Sequence, residues 1–72
     1  MSTHVVINGE RVAVDGTPSV GDLVAHQLGA SAPDGRGVAV AVNSEVVPRG
    51  AWASTLVADG DHVEILNATQ GG

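Results

Sequence analysis

The chain contains no cysteine, no lysine, no phenylalanine and no tyrosine. Without cysteine there are no disulfides, no thiolate metal sites and no sulfur nucleophile. Without lysine there is no side-chain amine to capture an activated acyl group as an isopeptide. The three basic residues are all arginine, and against eight acidic side chains they leave a formal charge of −5. That balance argues against nucleic acid, because phosphate binding needs clustered Lys and Arg, and makes a basic protein surface the natural complement. No apolar run approaches the roughly 20 residues that span a bilayer. The opening Met1-Ser2-Thr3-His4 has no basic region leading into an apolar stretch. The sequence reads as a soluble, cytoplasmic protein with no membrane partner.

What remains is aliphatic. Seventy-two residues make one domain with a single small core. With Trp52 the sole aromatic, that core is built largely from thirteen valines with Leu and Ile, a β-branched set that favours strands. Residues 4–7 and 11–14 flank Asn8-Gly9-Glu10, and Asn-Gly between apolar runs is a strong hairpin signal. After the turn chemistry of Asp15-Gly16-Thr17-Pro18, Ser19 and Asp22 form an acidic variant of the capping box. Val20, Leu23, Val24 and Leu28 then recur at helical spacing, with Gly29 as a left-handed stop. Gly21 costs this helix up to roughly 1 kcal/mol relative to Ala, which predicts a frayed first turn.

Residues 30–37 carry breakers and no apolar period, the pattern of a mobile loop. Residues 38–42 alternate Val and Ala as a third strand, Asn43-Ser44-Glu45 turns the chain, and Pro48 restricts Val46-Val47 to a sheet edge or a strand end. Residues 50–54 read as a helical turn that drops Trp52 onto the core. Asp59-Gly60 is a second tight turn, and residues 62–67 are the last strand. The helix must cross one sheet face, and crossover handedness puts the third strand beside or close to the first. This order fits an α+β fold, the ubiquitin-like β-grasp: a mixed sheet of four to five strands with one main helix on one face. The domain spans residues 1–67, with the last strand inside the sheet, and residues 68–72 form a flexible C-terminal tail ending in Gly71-Gly72.

Ten glycines in 72 residues make a chance Gly-Gly ending about a 2% event. A terminus without side chains threads a narrow channel and presents its own carboxylate, and five tail residues at about 3.3 Å each reach roughly 16 Å from the domain. A Cβ at position 71 or 72 would widen the chain where such a channel closes.

On the last strand, Val63 and Ile65 share one face. If the valines pack on the helix, Ala39, Ala41 and Leu66 lie on the uncovered face near the root of the tail. They form either a docking patch or ordinary scattered exposure. A core role for Trp52 is favoured over a partner anchor, because the core has no other ring. Arg49 either contacts a partner or holds Asp59 or Asp61 across a turn. His4, His26 and His62 are too scattered for a metal motif, and the residues imply no bound cofactor.

Val47-Pro48-Arg49, Trp52-Ala53, Leu56-Val57, Asp59-Gly60-Asp61 and the terminal Gly71-Gly72 resemble the ThiS family of thiamine-biosynthesis sulfur carriers. The Asn8-Gly9 hairpin and the strand and turn from Val38 to Asn43 resemble it too, so the likeness covers nearly the whole chain, with weak correspondence in residues 30–37. One departure is the polar lead-in Asn67-Ala68-Thr69-Gln70, more apolar in many relatives, which leaves Gln70 as a partner-contact candidate.

The resemblance implies a protein substrate rather than an enzyme. An E1-like adenylyltransferase of the ThiF or MoeB type would use ATP and Mg²⁺ to adenylate the carboxylate of Gly72, with Gly71 giving access. Sulfur relayed from cysteine by a desulfurase system would displace AMP and leave a thiocarboxylate. The thiazole synthase, ThiG, would accept that sulfur. The alternatives are a related carrier for molybdopterin, cysteine or thiouridine synthesis, a ubiquitin-like modifier, and a binding module indifferent to its last two residues. Val-Pro-Arg-x-x-Trp favours the thiamine branch.

Overall fold

The computed structural model describes residues 1–29 and 37–67. Strand β1 (Ser2–Ile7) pairs antiparallel with β2 (Glu10–Asp15). Asn8 and Gly9 form the two-residue turn, with φ of 52° and 86°. Both central residues at positive φ match the right-handed twist of the strands, which is why Asn-Gly closes this hairpin.

Helix α1 (Val20–Leu28) begins at Ser19, whose Oγ accepts the Asp22 N–H at 3.1 Å while the Asp22 carboxylate accepts the Ser19 N–H at 3.0 Å. The Val20 N–H donates to the Thr55 carbonyl at 2.8 Å, and Val20 is fully buried. These bonds anchor the first turn against the fraying that Gly21 favours. Gly29 stops the helix at φ 55° and ψ −129°. Its φ is positive as expected, yet its ψ lies outside the left-handed helical well, in space that glycine enters most readily.

Strands β3 (Val38–Val42) and β4 (Glu45–Val47) form a second antiparallel hairpin, and a 3₁₀ helix (Arg49–Ser54) leads toward the final strand β5 (His62–Asn67). The sheet order is β2-β1-β5-β3-β4, with β5 parallel to β1 and antiparallel to β3. Thus β3 is separated from β1 by β5 alone, and α1 connects β2 to β3, which run in the same direction. The α+β expectation of one helix on a mixed sheet, with the C-terminal strand inside it, is met. Residues 30–36, read as a loop, and the tail residues 68–72 lie outside the described residues.

One sheet face packs on α1. Val5 and Ile7 of β1, Val40 of β3, and Val63 and Ile65 of β5 are buried against Val20, Leu23 and Val24. Each such side chain contributes about 1.5–3 kcal/mol by leaving water. Trp52 is 7% exposed, and its Nε1–H donates to the Val47 carbonyl at 2.9 Å. Burial and a satisfied ring N–H make it the core residue the sequence reading favoured.

A Cβ built on Gly21 meets Ser19 Oγ at 3.6 Å and Trp52 atoms at 3.8 Å, all ordinary contacts. Gly21→Ala therefore raises the unfolding free energy by about 0.5–1 kcal/mol through helix propensity. Urea denaturation checks it, and an unchanged or lowered midpoint would show that the Trp52 contact resists the methyl group.

Candidate functional site

The site is organised by β5. Its even residues His62, Glu64 and Leu66 point away from α1, and the alternation on β3 sends Ala39 and Ala41 the same way. The register sets Ala39 opposite Leu66, Ala41 opposite Glu64, and Ala41 also opposite Val46 on β4. Leu66 is 65% exposed and Val46 74% exposed. The two small alanines between them leave a shallow groove of about 340 Å³, bordered by Glu64. The predicted trio Ala39, Ala41 and Leu66 is thus brought together on the uncovered face. Val46 completes the groove and was missed, although its alternation with Val47 across the Asn43-Ser44 turn was a usable signal.

Two larger depressions, of about 550 and 460 Å³, adjoin His62 at the start of β5. Asn43 and Glu64 line the first, His4 and Arg11 the second. They lie toward the end of the strand away from Asn67, whereas Leu66 immediately precedes it. Proximity to the tail root and apolar lining single out the smaller groove. His4 and His62 stand on this face and His26 is exposed on α1; among the described residues no three His, Asp or Glu side chains are placed to hold a metal ion.

The recurring motifs have structural tasks. Pro48 precedes the 3₁₀ helix and its carbonyl accepts the Ala51 N–H at 2.8 Å, while Val47 supplies the acceptor for Trp52. This explains the spacing of Val-Pro-Arg-x-x-Trp. In Asp59-Gly60-Asp61, the Asp59 carboxylate accepts the His4 N–H at 2.7 Å, and the Gly60 N–H donates to the His4 carbonyl at 2.8 Å. Asp61 accepts from the Ala58 N–H at 2.8 Å and from Asn43 Nδ2 at 3.1 Å. Gln70, Gly71 and Gly72 lie outside the described residues.

A sequence profile of the ThiS family matches residues 5–72, nearly the whole chain and including the closing diglycine. The chain belongs to the ThiS family. The sulfur carrier protein ThiS of Escherichia coli K12 is 42% identical over 36 residues, which are 50% of this chain and 54% of that protein. The matched segment therefore spans about half the length of this curated relative. The crystal structure of a thiamine biosynthesis protein (ThiS) from Geobacter metallireducens superposes with a TM-score of 0.73 at 33% identity, covering 89% of this chain and 91% of that one. The ThiS resemblance read from the motifs and the β-grasp read from the element order are both borne out. No helix among the described residues is long and apolar enough to cross a membrane.

Proposed function

We propose that this ThiS-family chain carries sulfur for the thiazole ring of thiamine on the carboxylate of Gly72. The observation that supports this most is the family match running through Gly71-Gly72, in a fold whose central strand ends at Asn67, five positions before Gly72. A carboxylate is a poor electrophile, so it needs activation. Its oxygen attacks the α-phosphorus of ATP in an E1-like adenylyltransferase, pyrophosphate leaves, and the acyl-adenylate makes AMP the next leaving group. The terminal sulfur of a donor persulfide, supplied by a desulfurase system, attacks the acyl carbon and expels AMP. Reduction of the acyl disulfide by a thiol frees the thiocarboxylate, which thiazole synthase consumes.

In this reading the chain performs no catalysis of its own. ATP and Mg²⁺ belong to the activating partner, and the chain supplies a docking body and a slender end. The groove of Ala39, Ala41, Val46 and Leu66 is the docking surface, because it is the exposed apolar area nearest the tail root. The body rests there while the tail, with Gln70 and Gly71 lining its approach, delivers Gly72 about 16 Å away. A net charge of −5 suits a basic partner surface around that contact.

Incubation with ATP, the activating enzyme and a sulfur donor is expected to exchange one C-terminal oxygen for sulfur, read by intact-mass spectrometry. A chain whose mass never changes would exclude the carrier role, and a ladder of lysine conjugates in denaturing gels would indicate a modifier instead. Transfer of the sulfur to an acceptor other than thiazole synthase would indicate one of the related carriers. Leu66→Asp leaves stability within about 0.5 kcal/mol, because the side chain is exposed, and weakens binding to the activating enzyme about tenfold. Unaltered affinity in calorimetry would remove the groove as the docking site.

A further inference from the structure

The parallel pairing of β1 with β5 is short, and a side chain extends it. Val6 N–H donates to the Asp61 carbonyl at 3.0 Å, and Asn8 N–H donates to the Val63 carbonyl at 2.9 Å. In a continuing parallel ladder, the Ile65 N–H would next meet the carbonyl of Asn8, and the Ile65 carbonyl would meet the N–H of residue 10. The chain has by then turned away into the hairpin, with Asn8 and Gly9 at positive φ. The carboxamide of Asn8 takes both places: Ile65 N–H donates to Oδ1 at 2.9 Å, and Nδ2 donates to the Ile65 carbonyl at 3.1 Å. One side chain thus substitutes for a peptide group at the position two residues before Asn67.

A counterpart lies at the other end of β5. Asn43, also at positive φ in a two-residue turn, accepts the His62 N–H on Oδ1 at 3.0 Å and donates its own N–H to the His62 carbonyl at 2.7 Å. The two asparagines resemble each other in turn position and chemistry. They differ in which end of β5 they grip. Asn43 holds the entrance of the strand, and Asn8 holds its exit, where the segment bearing the reactive group begins.

We infer that Asn8 is a positioning residue for delivery of the C-terminus, fixing the line along which the chain leaves the sheet. The inference rests on the carrier reading above. Without the clamp, the Ile65 N–H and C=O, which face β1, lose their partners, and the end of β5 is held only through its neighbours' register with β3, so it pivots about β3 and the docked body presents the carboxylate over a wider cone. The penalty falls on productive binding of the carrier rather than on the chemical step, because the carboxylate and the enzyme's own groups are unchanged.

The test uses the full chain with the cognate activating enzyme in ATP–pyrophosphate exchange. Asn8→Gly keeps the positive φ of the turn and deletes the carboxamide; Asn43→Gly does the same at the other end. The expected result is a KM for the carrier raised about tenfold by Asn8→Gly, with kcat nearly unchanged and amide exchange at Ile65 accelerated. Asn43→Gly is expected to lower stability comparably and leave KM at the wild-type value. Asn8→Asp keeps the turn but sets a carboxylate oxygen against the Ile65 carbonyl, and raises KM as well, which preserves the test if the glycine variant does not fold. A wild-type KM in both Asn8 variants would overturn the inference, and so would an equal rise in Asn43→Gly, which would mark a general loss of stability. Absence of exchange with the wild-type chain is a distinct result: it removes the carrier reading itself, and the role of Asn8 with it.

Discussion

The structure depends on the pairing of β5 between β1 and β3. This strand joins the two hairpins into one sheet: without it, β2-β1 and β3-β4 share no ladder. Its inward residues Val63 and Ile65 are buried at the middle of the aliphatic core, and its outward Leu66 borders the exposed groove. One strand therefore links the hydrophobic burial that stabilises the domain to the exposed groove proposed as the docking surface. The same strand ends at Asn67, where the tail begins. A central strand is the most firmly held element of a small sheet, so in the proposed reading it gives the residues beyond Asn67 a fixed starting point.

The residues by which the family is recognised mostly build this frame. Trp52, Val47 and Pro48 form a corner that closes the core beneath β4, and Asp59-Gly60-Asp61 ties the approach to β5 back to His4 and Asn43. None of these bonds touches the proposed chemistry. In the proposed reading the reacting group is a main-chain carboxylate, which needs no particular side chain, so most sequence signal would reside in the scaffold. The described motif residues lie in turns, caps and the core, an arrangement compatible with the proposed role of a protein that is acted upon.

The elements were legible where local chemistry determines them. Asn8-Gly9 closed the first hairpin, Ser19 and Asp22 capped the helix, and alternation of Val with Ala gave β3 two unlike faces. The closeness of β3 to β1 and the place of β5 inside the sheet also followed, because a helix linking two hairpins has few places to cross. What escaped was set by tertiary contact. Gly21 suggested a weak first turn, and the Val20–Thr55 bond, which no local pattern marks, anchors it beside the capping box. Asn8 was read as a turn residue, which it is, but nothing in the sequence marks that its carboxamide reaches Ile65, 57 positions away. Val46 was assigned to an edge without being joined to the groove, because that needed the β3–β4 register. Asn43 was likewise a turn residue until its pairing with His62 was seen.

The central claim is that the C-terminal carboxylate is the group on which the function depends. Complementation of a thiazole-requiring host tests it most directly, comparing the full chain with one ending at Gln70 and expressed to the same level. The account predicts that the full chain restores growth without added thiazole and the shortened chain does not, although both fold. Growth supported equally by the shortened chain would contradict it.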